Sequence, residues 1–130
     1  MTYRVPYADT DQMGVVYHAN YLVYFERSRT EMLRDAGLPY IEIENREYFL
    51  PVSDVNLKYK APAHYDELIT FRSWVDEIHG ARLKIASEVL LDGKTLAVGC
   101  VTLVCVGGDR KLKRIPEFML DACKQFIKQD

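Results

Sequence analysis

A chain of 130 residues with 48% hydrophobic and 28% charged side chains has the size and composition of one globular domain. It is long enough to bury roughly two thirds of its unfolded surface, so it can hold a core without a metal or disulfide staple. Seventeen basic against nineteen acidic side chains leave a net charge of -2, which excludes a broad basic field for nucleic acid or anionic membrane and leaves only local phosphate recognition. The N-terminal residues lack a charged region followed by an apolar one, and no run of about eighteen apolar residues occurs. A soluble cytoplasmic protein, without membrane insertion and with residues 1–130 as a single domain, is expected.

In chain order, Thr2 to Tyr7 reads as a short strand, with Pro6 marking an edge or an end. Ala8 to Tyr17 has the polar composition of a loop. From Asn20, a good N-cap, the apolar positions Tyr21, Leu22, Phe25, Met32, Leu33 and Ala36 recur at helical spacing until Gly37-Leu38-Pro39 stops the chain. An irregular stretch to about Phe49 follows. Period-2 patterning then takes over: Val55, Leu57 and Tyr59 alternate with polar residues up to Ala61-Pro62, and Leu68 to Ile78 forms a second strand ending at His79-Gly80. Leu83 to Leu91 alternates next, and Asp92-Gly93 is a hairpin signal.

The last long strand, Thr95 to Val106, is apolar on both faces. Its second face needs cover, either from a C-terminal helix, Glu117 to Lys128, or from another subunit. A homo-oligomer, dimer or tetramer, is favoured. The cysteines Cys100, Cys105 and Cys123 have no CxxC spacing and are read as plain buried thiols, not a disulfide framework or zinc site.

The loop before the long helix runs Tyr7-Ala8-Asp9-Thr10-Asp11-Gln12-Met13-Gly14-Val15-Val16-Tyr17-His18-Ala19-Asn20-Tyr21, and continues into Tyr24-Phe25-Glu26-Arg27-Ser28-Arg29-Thr30-Glu31. It resembles the signature of the hotdog-fold acyl-CoA thioesterases of the 4-hydroxybenzoyl-CoA thioesterase family, in particular the subgroup associated with the Tol-Pal system. The resemblance implies an α+β hotdog fold: an antiparallel sheet of about five strands curled around one long central helix, with a short C-terminal helix. It also implies hydrolysis of acyl-CoA thioesters without metal or cofactor. Asp11 matches the catalytic carboxylate, Gly14 the glycine of the following turn, and His18 the position at the helix start whose backbone N–H polarises the thioester carbonyl. Gln12-Met13 departs from the smaller residues common there.

Elementary chemistry points the same way. Thioester hydrolysis moves charge onto a carbonyl oxygen, and N–H groups at a helix N-terminus are preset donors for it. A carboxylate beside them can activate water or attack the carbonyl itself. Asp9 is read as a loop former, and the His18 side chain as either catalytic or merely capping. Glu26, on the helix, is a second carboxylate, but it lies roughly 9 Å from the helix start and is read as an ion pair with Arg29.

Tyr7, Gly14, Val16, Tyr17, Lys58, Tyr59 and Lys60 complete the candidate substrate-binding set. Tyr7 also has a packing reading, since tyrosine is common in strands. Lys58 and Lys60 share one strand face and can meet coenzyme A phosphates or stay solvated. The cluster Arg110, Lys111, Lys113 and Arg114 is a solvated hairpin or a dock for coenzyme A or acyl carrier protein. The rival functions are a non-catalytic acyl-binding module and a hotdog dehydratase or hydratase.

Overall fold

The computed structural model describes residues 1–127. Its elements are β1 (Thr2–Arg4), a single 3₁₀ turn (Tyr7–Asp9), α1 (Asn20–Asp35), α2 (Tyr40–Asn45), β2 (Tyr48–Phe49), β3 (Val52–Tyr59), β4 (Leu68–His79), β5 (Arg82–Leu91), β6 (Lys94–Val104), β7 (Val106–Gly107) and α3 (Glu117–Lys124). The period-2 segments pair into a five-stranded antiparallel sheet of order β1-β4-β5-β6-β3, packed around α1, in agreement with the hotdog expectation. Asp92 and Gly93 both adopt positive φ, 49° and 81°, as a two-residue type I′ hairpin requires, and they join Leu91 to its partner Lys94.

The stripe Tyr21, Tyr24, Phe25, Ser28, Met32 and Leu33 recurs every three or four residues and is buried against the inner face of the sheet. Where the helix crosses the sheet, the facing row is small: Ser73 pairs with Ser87, and Ser87 with Gly99. Ser28 Oγ lies 2.6 Å from Ser73 Oγ, which lies 2.7 Å from Ser87 Oγ, so three hydroxyls satisfy one another inside the core. A Cβ on Gly99 would stand 2.6 Å from both the Phe25 ring and the Leu57 side chain, closer than atoms pack. Gly99→Ala is therefore expected to destabilise the fold by about 1–3 kcal/mol, read from the midpoint of chemical denaturation.

The structure corrects the sequence reading at several points. β1 ends at Arg4, and Tyr7 belongs to the 3₁₀ turn, 77% exposed, so its packing role in a strand is lost. Asn20 does not cap α1. The N-cap is Ala19, without a side-chain bond, and the Asn20 amide reaches back to the loop instead. The irregular stretch contains α2 and the short strand β2, which pairs with β7 in a two-stranded sheet. The C-terminal helix stops at Lys124, after which the Phe126 carbonyl accepts from Val75 N–H; the expected end, Lys128, lies outside the described residues.

That helix also covers the face that α1 covers. Its Met119, Ala122 and Cys123 join the core of Met32, Leu33, Ile85 and Leu103. The outer face, with Trp74, Ala86, Cys100 and Asn56 in one row, is covered by no helix among the described residues. The three cysteines are free. Burial raises all three thiols, Cys123 to about 11, so none is primed as a thiolate nucleophile at neutral pH.

Candidate active site

The loop between β1 and α1 is an ordered hairpin. Thr10 bridges Val16, Asp11 N–H donates to the Val15 carbonyl at 2.9 Å, and Gly14 N–H donates to the Asp11 carbonyl at 3.0 Å. Gly14 holds φ at +77° with open space around it, so the backbone conformation, not crowding, demands glycine. The Asp11 carboxylate accepts from Met13 N–H at 2.8 Å and is otherwise exposed, with Met13 beside it at the tip, 85% exposed. The departure Gln12-Met13 thus falls at an outward tip.

The hairpin is docked at its far end. Val16 N–H donates to the Ala63 carbonyl and Val15 bridges His64, which ties the hairpin to the turn before β4. At its near end stands Asp9, whose Oδ2 accepts from the hydroxyls of Tyr3 on β1 and Tyr24 on α1, at 2.9 and 2.8 Å. Its carbonyl accepts from the Asn20 side-chain amide at 2.8 Å and from Tyr17 N–H at 2.9 Å. Tyr24 is 1% exposed and stacked on Phe71, and burial, reinforced by the Asp9 carboxylate, raises its phenol well above the ordinary value. Asp9 is much more than a loop former. Its partners stand six and fifteen positions away, so no local pattern announces them.

At the start of α1 the N–H groups of His18 and Ala19 have no hydrogen bond among the described residues. His18 also lines a cleft of about 310 Å³, with Val16, Tyr21, Tyr59, Lys60, Ala61 and Pro62. The Tyr59 hydroxyl donates to the His18 carbonyl at 2.9 Å and pins the helix start to the end of β3. The Tyr17 ring lies 4.5 Å from the His18 ring, centroid to centroid. Tyr21, 2% exposed, forms the inner wall, and its burial raises its phenol.

The structure thus gathers His18, Val16, Tyr59 and Lys60 in one cleft. Asp11, Gly14 and Tyr17 belong to the adjoining hairpin and helix start, outside the lining. Tyr7 stands further out, edge-on to Tyr65 at 5.7 Å. β3 ends at Tyr59, so Lys58 lies within the strand, on the face opposite Tyr59, and Lys60 follows just after it, among the residues that line the cleft.

Glu26 lines a different cavity, also about 310 Å³, with Arg29, Thr30, Leu33, Tyr40 and Leu50 among its walls. The expected ion pair with Arg29 does not form among the described residues. The Arg29 guanidinium is lowered from its ordinary value by burial, with the Glu26 charge acting in the opposite sense. Eight residues past His18, Glu26 stands about 12 Å along the helix from the free N–H groups. The basic run Arg110 to Arg114 is exposed beyond the Val104 end of β6, whereas the cleft lies at the Ala97 end, paired with Tyr59. The run and the cleft are therefore separated by about 24 Å of strand.

Among known proteins, the chain is similar to the putative acyl-CoA thioesterase YneP of Bacillus subtilis, 46% identical over 77 residues, which are 59% of this chain and 56% of that one. The match therefore spans little more than half the length of that relative. It is 31% identical over 124 residues to the acyl-CoA thioester hydrolase YbgC of Escherichia coli, covering 94% of this chain and 92% of that one. Among solved structures, the crystal structure of a hypothetical protein, TT1821, from Thermus thermophilus superposes with a TM-score of 0.92 at 37% identity, covering 97% of each chain. The family model of the thioesterase-like superfamily matches residues 5–123. With a hotdog sheet around α1 and relatives that match across its length, this chain belongs to the thioesterase-like superfamily.

Proposed function

We propose that this chain is an acyl-CoA thioester hydrolase that releases a free acid and coenzyme A. The observation that carries the reading is the pair of N–H groups of His18 and Ala19, unbonded among the described residues, at the start of a sixteen-residue helix, with His18 itself lining a cleft. A hairpin tied to the same helix start carries the Asp11 carboxylate. The relatives' names support the substrate class.

In the reaction, the thioester carbonyl oxygen lies against the N–H groups, which stabilise the charge it gains. Asp11 acts as general base, taking a proton as a water oxygen bonds to the carbonyl carbon. Alternatively, it acts as nucleophile and forms an anhydride that water then opens. On either route the C–S bond breaks and the thiolate of coenzyme A takes up a proton. The His18 ring stands at the mouth of the cleft, where it can orient the thioester, and Lys60 offers a cation to the carrier.

A thiol-release assay over aliphatic and aromatic acyl-CoAs, with an acyl carrier protein thioester alongside, tests the reading. Release of coenzyme A by the pure protein is expected. Acyl-CoA binding without release would instead establish a binding module, and hydration of an enoyl chain a hydratase. Activity is expected to be unchanged by EDTA, since every step runs on Asp11, backbone N–H groups and water. Loss on chelation with recovery on adding zinc would overturn that mechanism.

The active form is a homo-oligomer, a dimer or a tetramer, with the site at a subunit interface. Support comes from the uncovered outer face of the sheet and from β3, an edge strand exposing Val52, Val55 and Tyr59 at 49%, 41% and 49%. The exposed Asp11 carboxylate also needs a wall that removes water from it. Light scattering is expected to return a multiple of 15.1 kDa at micromolar concentration, and a stable monomer would remove the proposal. No helix among the described residues is long and apolar enough to cross a membrane. Three unpaired thiols fit work in a reducing cytoplasm.

A further inference from the structure

We infer that Asp9 is a positioning residue for hydrolysis: its carboxylate, gripped by Tyr3 and Tyr24, fixes where Asp11 stands relative to the helix-start N–H groups. The inference rests on the hydrolase reading above.

Asp9 joins three parts of the fold. Tyr3 belongs to β1, which pairs with β4, and Tyr24 belongs to α1 and stacks on Phe71 of β4, ring centroids 5.0 Å apart. Both hydroxyls donate to the same carboxylate oxygen, so the position of Asp9 is triangulated from the sheet and the helix together. Its carbonyl meanwhile holds Tyr17 N–H and the Asn20 amide, which fixes the far end of the hairpin to the same residue. Asp11 lies two residues after this anchor, and His18 follows Tyr17 directly. The separation of reacting carboxylate and carbonyl-polarising N–H is therefore set at one point.

Charge makes the grip specific. Two phenols donating to one oxygen suit a carboxylate, which only accepts; an amide oxygen can serve them less well, and a methyl group not at all. The Arg27 guanidinium stacks 4.4 Å from the centroid of the Tyr3 ring and holds that ring in place from outside. A misplacement of about 1 Å in a reacting group can cost roughly a hundredfold in rate, so a change at Asp9 is amplified at Asp11.

The test uses Asp9→Ala, Asp9→Asn and Tyr24→Phe in the full chain, with two readouts. By amide hydrogen exchange, the N–H groups of Asp11, Gly14, Val16 and Tyr17 are expected to exchange faster in Asp9→Ala, while those of β4 and β5 keep their wild-type protection. In steady-state hydrolysis of an acyl-CoA, kcat is expected to fall about 10- to 100-fold with KM little changed. Asp9→Asn and Tyr24→Phe should fall between wild type and Asp9→Ala. In an Asp11→Asn background the same Asp9→Ala change should cost almost nothing further, because the group it positions is gone.

Unchanged hairpin exchange and unchanged kcat in folded Asp9→Ala would overturn the inference, as would an equal loss of kcat in the Asp11→Asn background. If Asp9→Ala does not fold, the two milder variants decide by the same readouts. Failure of wild-type protein to release coenzyme A from any acyl-CoA would remove the hydrolase reading instead, and hydrogen exchange would still show whether Asp9 fixes the hairpin.

Discussion

Asp11→Asn is expected to lower kcat for acyl-CoA hydrolysis by about 10²- to 10⁴-fold, the range of a general base, while the fold and KM stay close to wild type. The amide has the shape of the carboxylate and can still accept from Met13 N–H, so the hairpin turn survives. It can neither take a proton at neutral pH nor attack a carbonyl well. Glu26→Gln supplies the comparison. Glu26 is exposed, makes no ion pair among the described residues and lines a separate cavity, so its loss should leave both kcat and stability near wild type. Steady-state kinetics of the two variants, with circular dichroism to confirm folding, decides the matter. A dead Glu26→Gln beside a nearly intact Asp11→Asn would move the reacting carboxylate onto the helix.

The largest effect on stability is expected at Phe25. Its ring is fully buried at the point where α1 crosses the sheet, against Gly99 and Leu57. Phe25→Ala removes the ring from a place the rigid neighbours cannot refill, at a cost of about 3–5 kcal/mol. Against a total stability of roughly 5–15 kcal/mol for a domain, that is a large share. Urea titration should show a midpoint far below that of wild type with a similar slope, whereas a change within about 0.5 kcal/mol, typical of surface sites, would mean that the packing is not as tight as the geometry implies.

The sheet was legible because strands buried on one face must alternate: β5 does so from Arg82 to Leu90, and β4 buries Ile69, Phe71 and Val75 on one parity before its register shifts between Val75 and Glu77. The Asp92-Gly93 turn was legible for a chemical reason, since few residues accept two positive φ angles in succession. α2 was not. Tyr40-Ile41-Glu42-Ile43-Glu44 alternates polar and apolar like a strand, and six residues are too few to show a helical period. The shared face of Lys58 and Lys60 was inferred from strand parity, a rule that lapses where the strand ends at Tyr59. Asn20 had the right chemistry for a cap, but the Asp9 carbonyl claims its amide. The turn at Gly14 was legible in the loop motif before the helix. The bonds of Asp9 were hidden, because its partners Tyr3 and Tyr24 come together only once β1 and α1 have packed on β4.

The chain has a single tryptophan, and the fold puts it on the outer face of the sheet, half-buried, opposite Ala86. Every photon of indole emission from this protein therefore originates at the face of the sheet that no helix among the described residues covers. Emission wavelength follows the polarity around the indole, so a blue-shifted spectrum at micromolar concentration that moves red on dilution would report subunits parting at that face, without a dye or an added label.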